Sequence, residues 1–312
     1  MSAYIIRRLR QMVPTLLGVI VFIFIIFNMV GGDPAYVLAG KISSPEQIAN
    51  IRKELGIDQP YWVQLWIFIK QVATFNFGAS WSTNELVSDL FKTRIPPSLM
   101  LGIPILILDT LIALGIAVLV AYYRASLTDR SIMIACTVAQ SISILVFIIV
   151  GQYFFAYKWG AFPVQGWGDS YWQNQFWFAA LPILIGIAVS LAPSIRLYRT
   201  FVLDEVNQDY VRTARAKGLS ETRTMLTHVL RNASIPVITN VLVQLPGLLV
   251  GIFLIERFFS IPGIGREAIL AVERSDFPVI KAVTVYVAIA TMFANLAADL
   301  LYKVVDPRVQ LK

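Results

Sequence analysis

Six stretches of the chain are almost wholly apolar and long enough to cross a bilayer: residues 9–30, 99–123, 131–157, 176–197, 237–255 and 279–302. A helix needs roughly 20 apolar residues to span the hydrocarbon, where unpaired backbone groups are too costly to leave exposed. The pattern predicts an all-α integral membrane protein with six transmembrane helices and both termini on one face. The polar segment between the first two runs carries its own helical pattern. Ser44-Pro45-Glu46-Gln47 has capping-box spacing, Ile48, Ile51 and Leu55 recur at helical intervals, and Gly56 stands where a helix-ending glycine belongs. The stretch from Tyr61 to Lys70 is aromatic and too short to span, which predicts a helix lying at the interface and, with its neighbour, a lid or vestibule wall. Residues 158–175 predict an irregular loop, and Pro193, Pro236 and Pro246 are expected to end or kink helices. The first run follows Arg7, Arg8 and Arg10 with no small-residue cleavage site, so it is read as a retained span.

Charge orients this array. With the N-terminus in the cytoplasm, inner segments hold 15 of the 26 Lys and Arg against six acids, while outer segments hold 11 of each. That is the bias expected of cytoplasmic loops, so both termini are predicted to be cytoplasmic. All seven Trp fall in or beside outer segments, as rings that prefer the headgroup boundary should. Topology thus accounts for the net charge of +7 and removes nucleic acid as a partner. The single cysteine, Cys136, lies in an apolar run and reads as a small buried side chain.

One inner segment is out of proportion to the rest. From Val206, Tyr210, Thr213 and Lys217 share a helical stripe with Arg212 and Arg215 beside it; Gly218 then permits a turn, Ser220 is an N-cap candidate, and Met225, Leu226, Val229 and Leu230 begin a second amphipathic pattern up to Pro236. Two helices meeting at a glycine predict a compact basic projection; basic juxtamembrane residues also serve topology and anionic lipid alone. The order Arg212-Thr213-Ala214-Arg215-Ala216-Lys217-Gly218-Leu219, followed by His228-Val-Leu-Arg-Asn-Ala-Ser-Ile-Pro236, resembles the loop that marks permease subunits of ATP-binding-cassette importers of the dipeptide, oligopeptide and nickel class. Only Ala214, Gly218 and Leu230 match the broad form of that motif; the departures are those of the peptide-type permeases. Leu55-Gly56-Ile-Asp-Gln-Pro60, Gly32-Asp33-Pro34, Phe259-Ser-Ile-Pro-Gly-Ile-Gly265, Asp276-Phe-Pro278 and Val305-Asp306-Pro307-Arg308 are similar to that class's B-type subunit.

The resemblance implies a type I importer permease fold. It implies an N-terminal helix with an extracytoplasmic helical segment (1–94), a five-helix transmembrane domain (95–304) bearing a cytoplasmic coupling loop (198–236), and a cytoplasmic tail (305–312). The implied partners are a second homologous permease subunit, two cytoplasmic ATPases that bind ATP and Mg²⁺, an extracytoplasmic solute-binding protein and the lipid bilayer of the bacterial inner membrane. Short peptides are the implied cargo; nickel, a metal chelate, or a peptide-derived antibiotic or wall fragment is the alternative within the family. Residues 212–219 would seat in an ATPase groove, with Ala214 and Ala216 allowing close approach.

Chemistry-bearing residues are sparse. The one histidine, His228, falls inside the loop motif, and no phosphate-binding, nucleophile-elbow or paired-histidine pattern occurs. The chain is accordingly read as having no catalytic, cofactor or metal site of its own. Asp109, in the second span, must face protein or water, as a pore-lining group or as a hydrogen-bonded tie between helices. Asp299 is read at the cytoplasmic end of the last span. Gln140, Ser143, Asn240 and Gln244 also interrupt apolar runs, as pathway groups or as polar glue. A secondary transporter using Asp109 as its coupling acid is the reading from another class; it predicts two related halves, which the sequence lacks.

Overall fold

A computed structural model of the chain describes residues 2–29, 35–36, 44–250 and 252–305. The Gly32-Asp33-Pro34 junction and the tail from Asp306 lie outside the described residues. The described chain is helical; its only β feature is an isolated antiparallel bridge between Ala79 and Leu86. In order come α1 (Ser2–Met29), α2 (Pro45–Leu55), α3 (Tyr61–Thr74), α4 (Val87–Tyr122), α5 (Leu127–Gln140) and α6 (Ile144–Gly151). A wider-turned segment (Gln152–Lys158) extends α6, and α7 (Tyr171–Gln173) precedes α8 (Ala180–Val206), α9 (Asp209–Ala216) and α10 (Glu221–Thr224). The remainder is α11 (Leu230–Val250), α12 (Phe253–Phe258), α13 (Ile264–Glu273) and α14 (Phe277–Val305).

Among the described residues four helices are long and apolar enough to cross a membrane: Tyr4–Asn28, Val87–Tyr122, Ala180–Val206 and Phe277–Leu301. The third apolar run is a broken one. Its halves, Leu127–Gln140 and Ile144–Lys158, meet at 92°, and Ser143 caps the second half by accepting from the Leu145 N–H at 3.3 Å. Residues 237–250 of the fifth run lie in α11 and residues 253–255 open α12; α11 also carries Arg231, Asn232, Asn240 and Gln244 and falls outside this set.

Side-chain pairs fix the directions of these helices. Ile105 packs on Gly186, the Ser194 hydroxyl donates to Asp109 at 2.6 Å, and Arg124 donates to Asn207 at 3.1 Å, so α4 and α8 run parallel. The bent pair returns the chain between them. It starts where Arg199 grips Asp129 through two bonds of 3.0 and 2.8 Å, and ends where Gln152 donates to the Phe258 carbonyl. α11 runs against α4, with Asn240 beside Tyr198 and Leu248 against Gly102. α1 and α14 are antiparallel, joined by Phe27 on Phe277 at one end and by Tyr4 and Arg8 on Asp299 at the other.

Several boundaries differ from the sequence reading. α4 begins at Val87, before residue 99, and passes through Pro96, Pro97 and Pro104, because Val87, Leu90 and Phe91 are buried in a cluster with α3, α13 and α14. Pro193 lies inside α8 and Pro236 inside α11, so neither ends a helix. The predicted cap of α2 is present, with Ser44 and Gln47 bonded reciprocally and Gly56 left-handed at φ 66°. The stretch from Tyr61 is helical to Thr74. Within 158–175 the irregular part is interrupted by α7. Cys136 is buried.

Candidate functional site

The basic segment is a hairpin mounted on two long helices. α8 continues past its apolar run to Val206, so residues 198–206 belong to that helix and not to a separate loop. After Gln208 the chain re-enters helix as α9; Gly218, at φ 78°, makes the left-handed turn that a side chain would resist. The Gly218 N–H donates to the Arg215 carbonyl at 2.9 Å and the Leu219 N–H to that of Ala214 at 3.3 Å. Ser220 caps α10 by accepting from Arg223 N–H, and the wider turn Met225–Val229, which includes His228, feeds into α11. The second amphipathic helix therefore does not stop at Pro236; it is the root of α11.

The hairpin is closed on itself and rooted in the membrane domain. Arg215 forms a two-pronged pair with Glu221 across the turn, at 2.9 and 2.5 Å. Glu221 raises the Arg215 guanidinium, and Arg215 in turn holds the Glu221 carboxyl below the usual carboxylate range. The Tyr210 hydroxyl donates to Glu205 at 2.5 Å; burial first, and then that carboxylate, push the phenol up to about 12. Val211, Met225 and Val229 are buried in one cluster with Ala113 and Ala117 of α4 and Tyr198 and Val202 of α8. That core joins the hairpin to both long helices.

Of the eight residues expected to meet a partner, Arg212, Thr213, Arg215, Ala216, Lys217 and Gly218 are exposed and Leu219 is half-buried. Ala214 is not available. It is 5% exposed, turned inward on the face of α9 that carries Val211. The expected close approach through Ala214 is thus an internal contact, and Ala216 is the small residue left at the surface.

The polar groups proposed for a pathway fall into three separate groups. Asp109 is buried between α4 and α8, with one carboxylate oxygen on Ser194 and the other without a partner among the described residues. Gln140 and Ser143 flank the break between α5 and α6, where Arg196 donates to Gln140 at 3.0 Å. Asn240 accepts from Gln244 at 2.6 Å and from the Tyr198 hydroxyl at 3.4 Å.

Four further acids are buried among the described residues, Asp129, Glu256, Glu267 and Asp276, and the sequence reading gave none of them a role. Glu256, in α12, is fully enclosed: one oxygen accepts from the Ser98 hydroxyl at 2.8 Å and Ile252 N–H at 3.2 Å, the other from Arg266 N–H at 2.9 Å. Ser98 also accepts from Ile264 N–H at 2.9 Å. The signal was the pair of glycines in Phe259-Ser-Ile-Pro-Gly-Ile-Gly265, because a Cβ at Gly263 would lie 2.3 Å from the Glu256 carboxyl carbon and one at Gly265 3.0 Å from its oxygen. Asp276 accepts from the hydroxyls of Ser80 (2.5 Å) and Ser82 (2.9 Å) and from Trp81 N–H (3.2 Å), fastening the segment before α4 to the start of α14.

The sequence model of the family described as binding-protein-dependent transport system inner membrane component matches residues 113–311. A companion model for the N-terminal part of such membrane components matches residues 1–102. The chain is 36% identical to the glutathione transport system permease protein GsiC of Salmonella typhimurium, over the whole of both chains. It is 32% identical to the dipeptide transport system permease protein DppB of Escherichia coli, again over the whole of both. A probable peptide ABC transporter permease protein of Sinorhizobium fredii, y4tP, shares 33% identity over 99% of this chain and all of its own.

Proposed function

This chain belongs to the binding-protein-dependent transport system inner membrane components, a multi-pass family of the bacterial inner membrane, and from that premise we propose that it is one membrane half of an ATP-driven importer of short peptides. The names of its relatives, which concern peptides, a dipeptide and glutathione, support that cargo class. The observation that carries the mechanism is the α9–α10 hairpin: a rigid, cationic tip whose buried roots lie in the same core as α4 and α8. In this reading residues 212–219 seat on a cytoplasmic ATPase, which binds ATP and Mg²⁺. Closure of an ATPase pair pulls the hairpin, and α8 and α11 carry the displacement across the membrane.

The parallel course of α4 and α8, with the bent pair returning between them, supports six crossings of a type I importer fold. The shared face of Tyr4 and Asp299, with the inner excess of Lys and Arg, supports cytoplasmic termini. A second permease subunit completes the pathway, and a binding protein delivers solute to the outer segments. The division into residues 1–94, 95–304 and a tail from 305 follows this plan. Purifying the tagged chain in mild detergent tests it: two P-loop ATPases and a second permease should accompany it. Ion-coupled uptake by the chain alone would overturn the proposal.

A further inference from the structure

A cleft of about 180 Å³ opens between the cytoplasm-facing ends of α1 and α14 and adjoins a second space of about 170 Å³ lined by Tyr4 and Arg7. Two facing stripes build it. Arg8, Gln11 and Thr15 stand at helical intervals on α1, and Asn295 and Asp299 on α14, with Met12, Met292 and Leu296 as its apolar lining. Arg8 is held in place, donating through Nε to the Tyr4 hydroxyl at 2.9 Å and pairing through Nη2 with Asp299 at 2.7 Å. Those two bonds leave its Nη1 without a partner among the described residues. Arg7 and the side-chain amides of Gln11 and Asn295 are exposed at the same place.

We propose that this cleft binds the phosphate headgroup of an anionic phospholipid from the cytoplasmic leaflet. Three considerations select lipid. The side of α1 opposite the cleft is apolar and exposed in the same turns, with Ile6, Leu9, Val13 and Leu17, which sets this helix against acyl chains. Only 17% of the apolar window of α1 is buried inside the chain, which leaves that helix at the periphery. Two guanidiniums, Arg7 and Arg8, stand against the single carboxylate of Asp299 in the lining of these two spaces, and basic clefts between helices on the cytoplasmic side suit anionic headgroups. Arg8 supplies the fixed fork that a phosphate matches, Arg7 the second cation, and Gln11 and Asn295 the amide donors. The bound lipid would bridge α1 to α14, which otherwise meet at this end through the Tyr4, Arg8 and Asp299 contacts.

The inference rests on the proposed orientation of the termini, but lipid retention is read without transport, so its loss would leave the importer assignment standing. The full chain, purified with its accompanying subunits and placed in nanodiscs of equal dioleoylphosphatidylglycerol and dioleoylphosphatidylcholine, is examined by native mass spectrometry. Wild type should retain the phosphatidylglycerol selectively, Arg7→Gln and Asn295→Ala should each weaken retention, the former about fivefold, and Arg130→Gln, exposed on the same face elsewhere, should not. Excess inorganic phosphate should leave the lipid in place. Equal retention of the two lipids, unchanged retention in both cleft variants, an equal loss in Arg130→Gln, or displacement by inorganic phosphate would each overturn the proposal.

Discussion

At the scale of single residues, the most constrained position is Gly263. Its missing Cβ is what lets the turn before α13 close over the Glu256 carboxylate, which is itself pinned by Ser98 and by two backbone N–H groups. Neither backbone nor carboxylate has room to move, so Gly263→Ala should destabilise the chain by roughly 1–3 kcal/mol, read as a lower thermal midpoint in detergent. Gly218 differs: a Cβ there meets nothing, and only its left-handed φ resists substitution. Glu256 also gives a pH dependence. Burial pushes its carboxyl above the ordinary range, against the opposing pull of the Arg266 and Ile252 N–H groups and Ser98. A folded-state pKa above the unfolded value means the contribution to stability is full below about pH 4 and declines as pH rises through the folded value. The wild-type midpoint should therefore fall with rising pH relative to Glu256→Gln, which cannot titrate; parallel curves for the two would refute the shift.

At the scale of elements, the hairpin separates surface from root within four residues. Ala216 is exposed and Ala214 is buried, so the two alanines answer different questions. Ala216→Asp should leave insertion and the thermal midpoint unchanged while lowering ATPase co-purification and transport at least severalfold, because a carboxylate is placed in a contact otherwise formed with small and basic groups. Ala214→Asp should lower the midpoint itself, since it buries a charge against the α9 face that Val211 occupies. If Ala216→Asp transports normally, the tip is not the contact surface. The order Arg215-Ala-Lys-Gly-Leu-Ser220 makes the turn at Gly218 and the cap at Ser220 legible in the sequence, because both depend on local backbone chemistry. Which alanine faced inward was not legible: that depends on α4 and α8 supplying the buried surface. The 92° break at Gln140–Ser143 was hidden for the same reason, its residues being ordinary polar glue until Ser143 is seen capping a new helix.

At the scale of the molecule, α14 is secured at both ends of its crossing. On one face Asp276 draws in Ser80, Trp81 and Ser82, so the α2–α3 segment is held over the start of α14. On the other, Asp299 receives Tyr4 and Arg8. The apolar runs and the charge bias made the layout of helices readable, because each is summed over a whole segment. These two acids were seen as isolated letters, since their partners lie 196 and 295 residues away. The two fastenings have different reach. Asp276 is buried and takes several donors at once, so its loss strands Ser80 and Ser82 and costs about 1–3 kcal/mol, all of it at the segment that precedes α4. Asp299 is a partly exposed pair, a kind whose net contribution is small. With the termini cytoplasmic as proposed, Asp276→Ala should thus expose residues 44–86 to protease added to spheroplasts and reduce uptake, while the thermal midpoint of the rest of the chain moves little. Asp299→Asn should leave that outer cleavage pattern as in wild type. Equal protection in both variants would mean that the aromatic contact of Trp81 with Phe277, at 5.6 Å, and the packing of Phe68, Val72 and Phe77 suffice to hold the outer segment without Asp276.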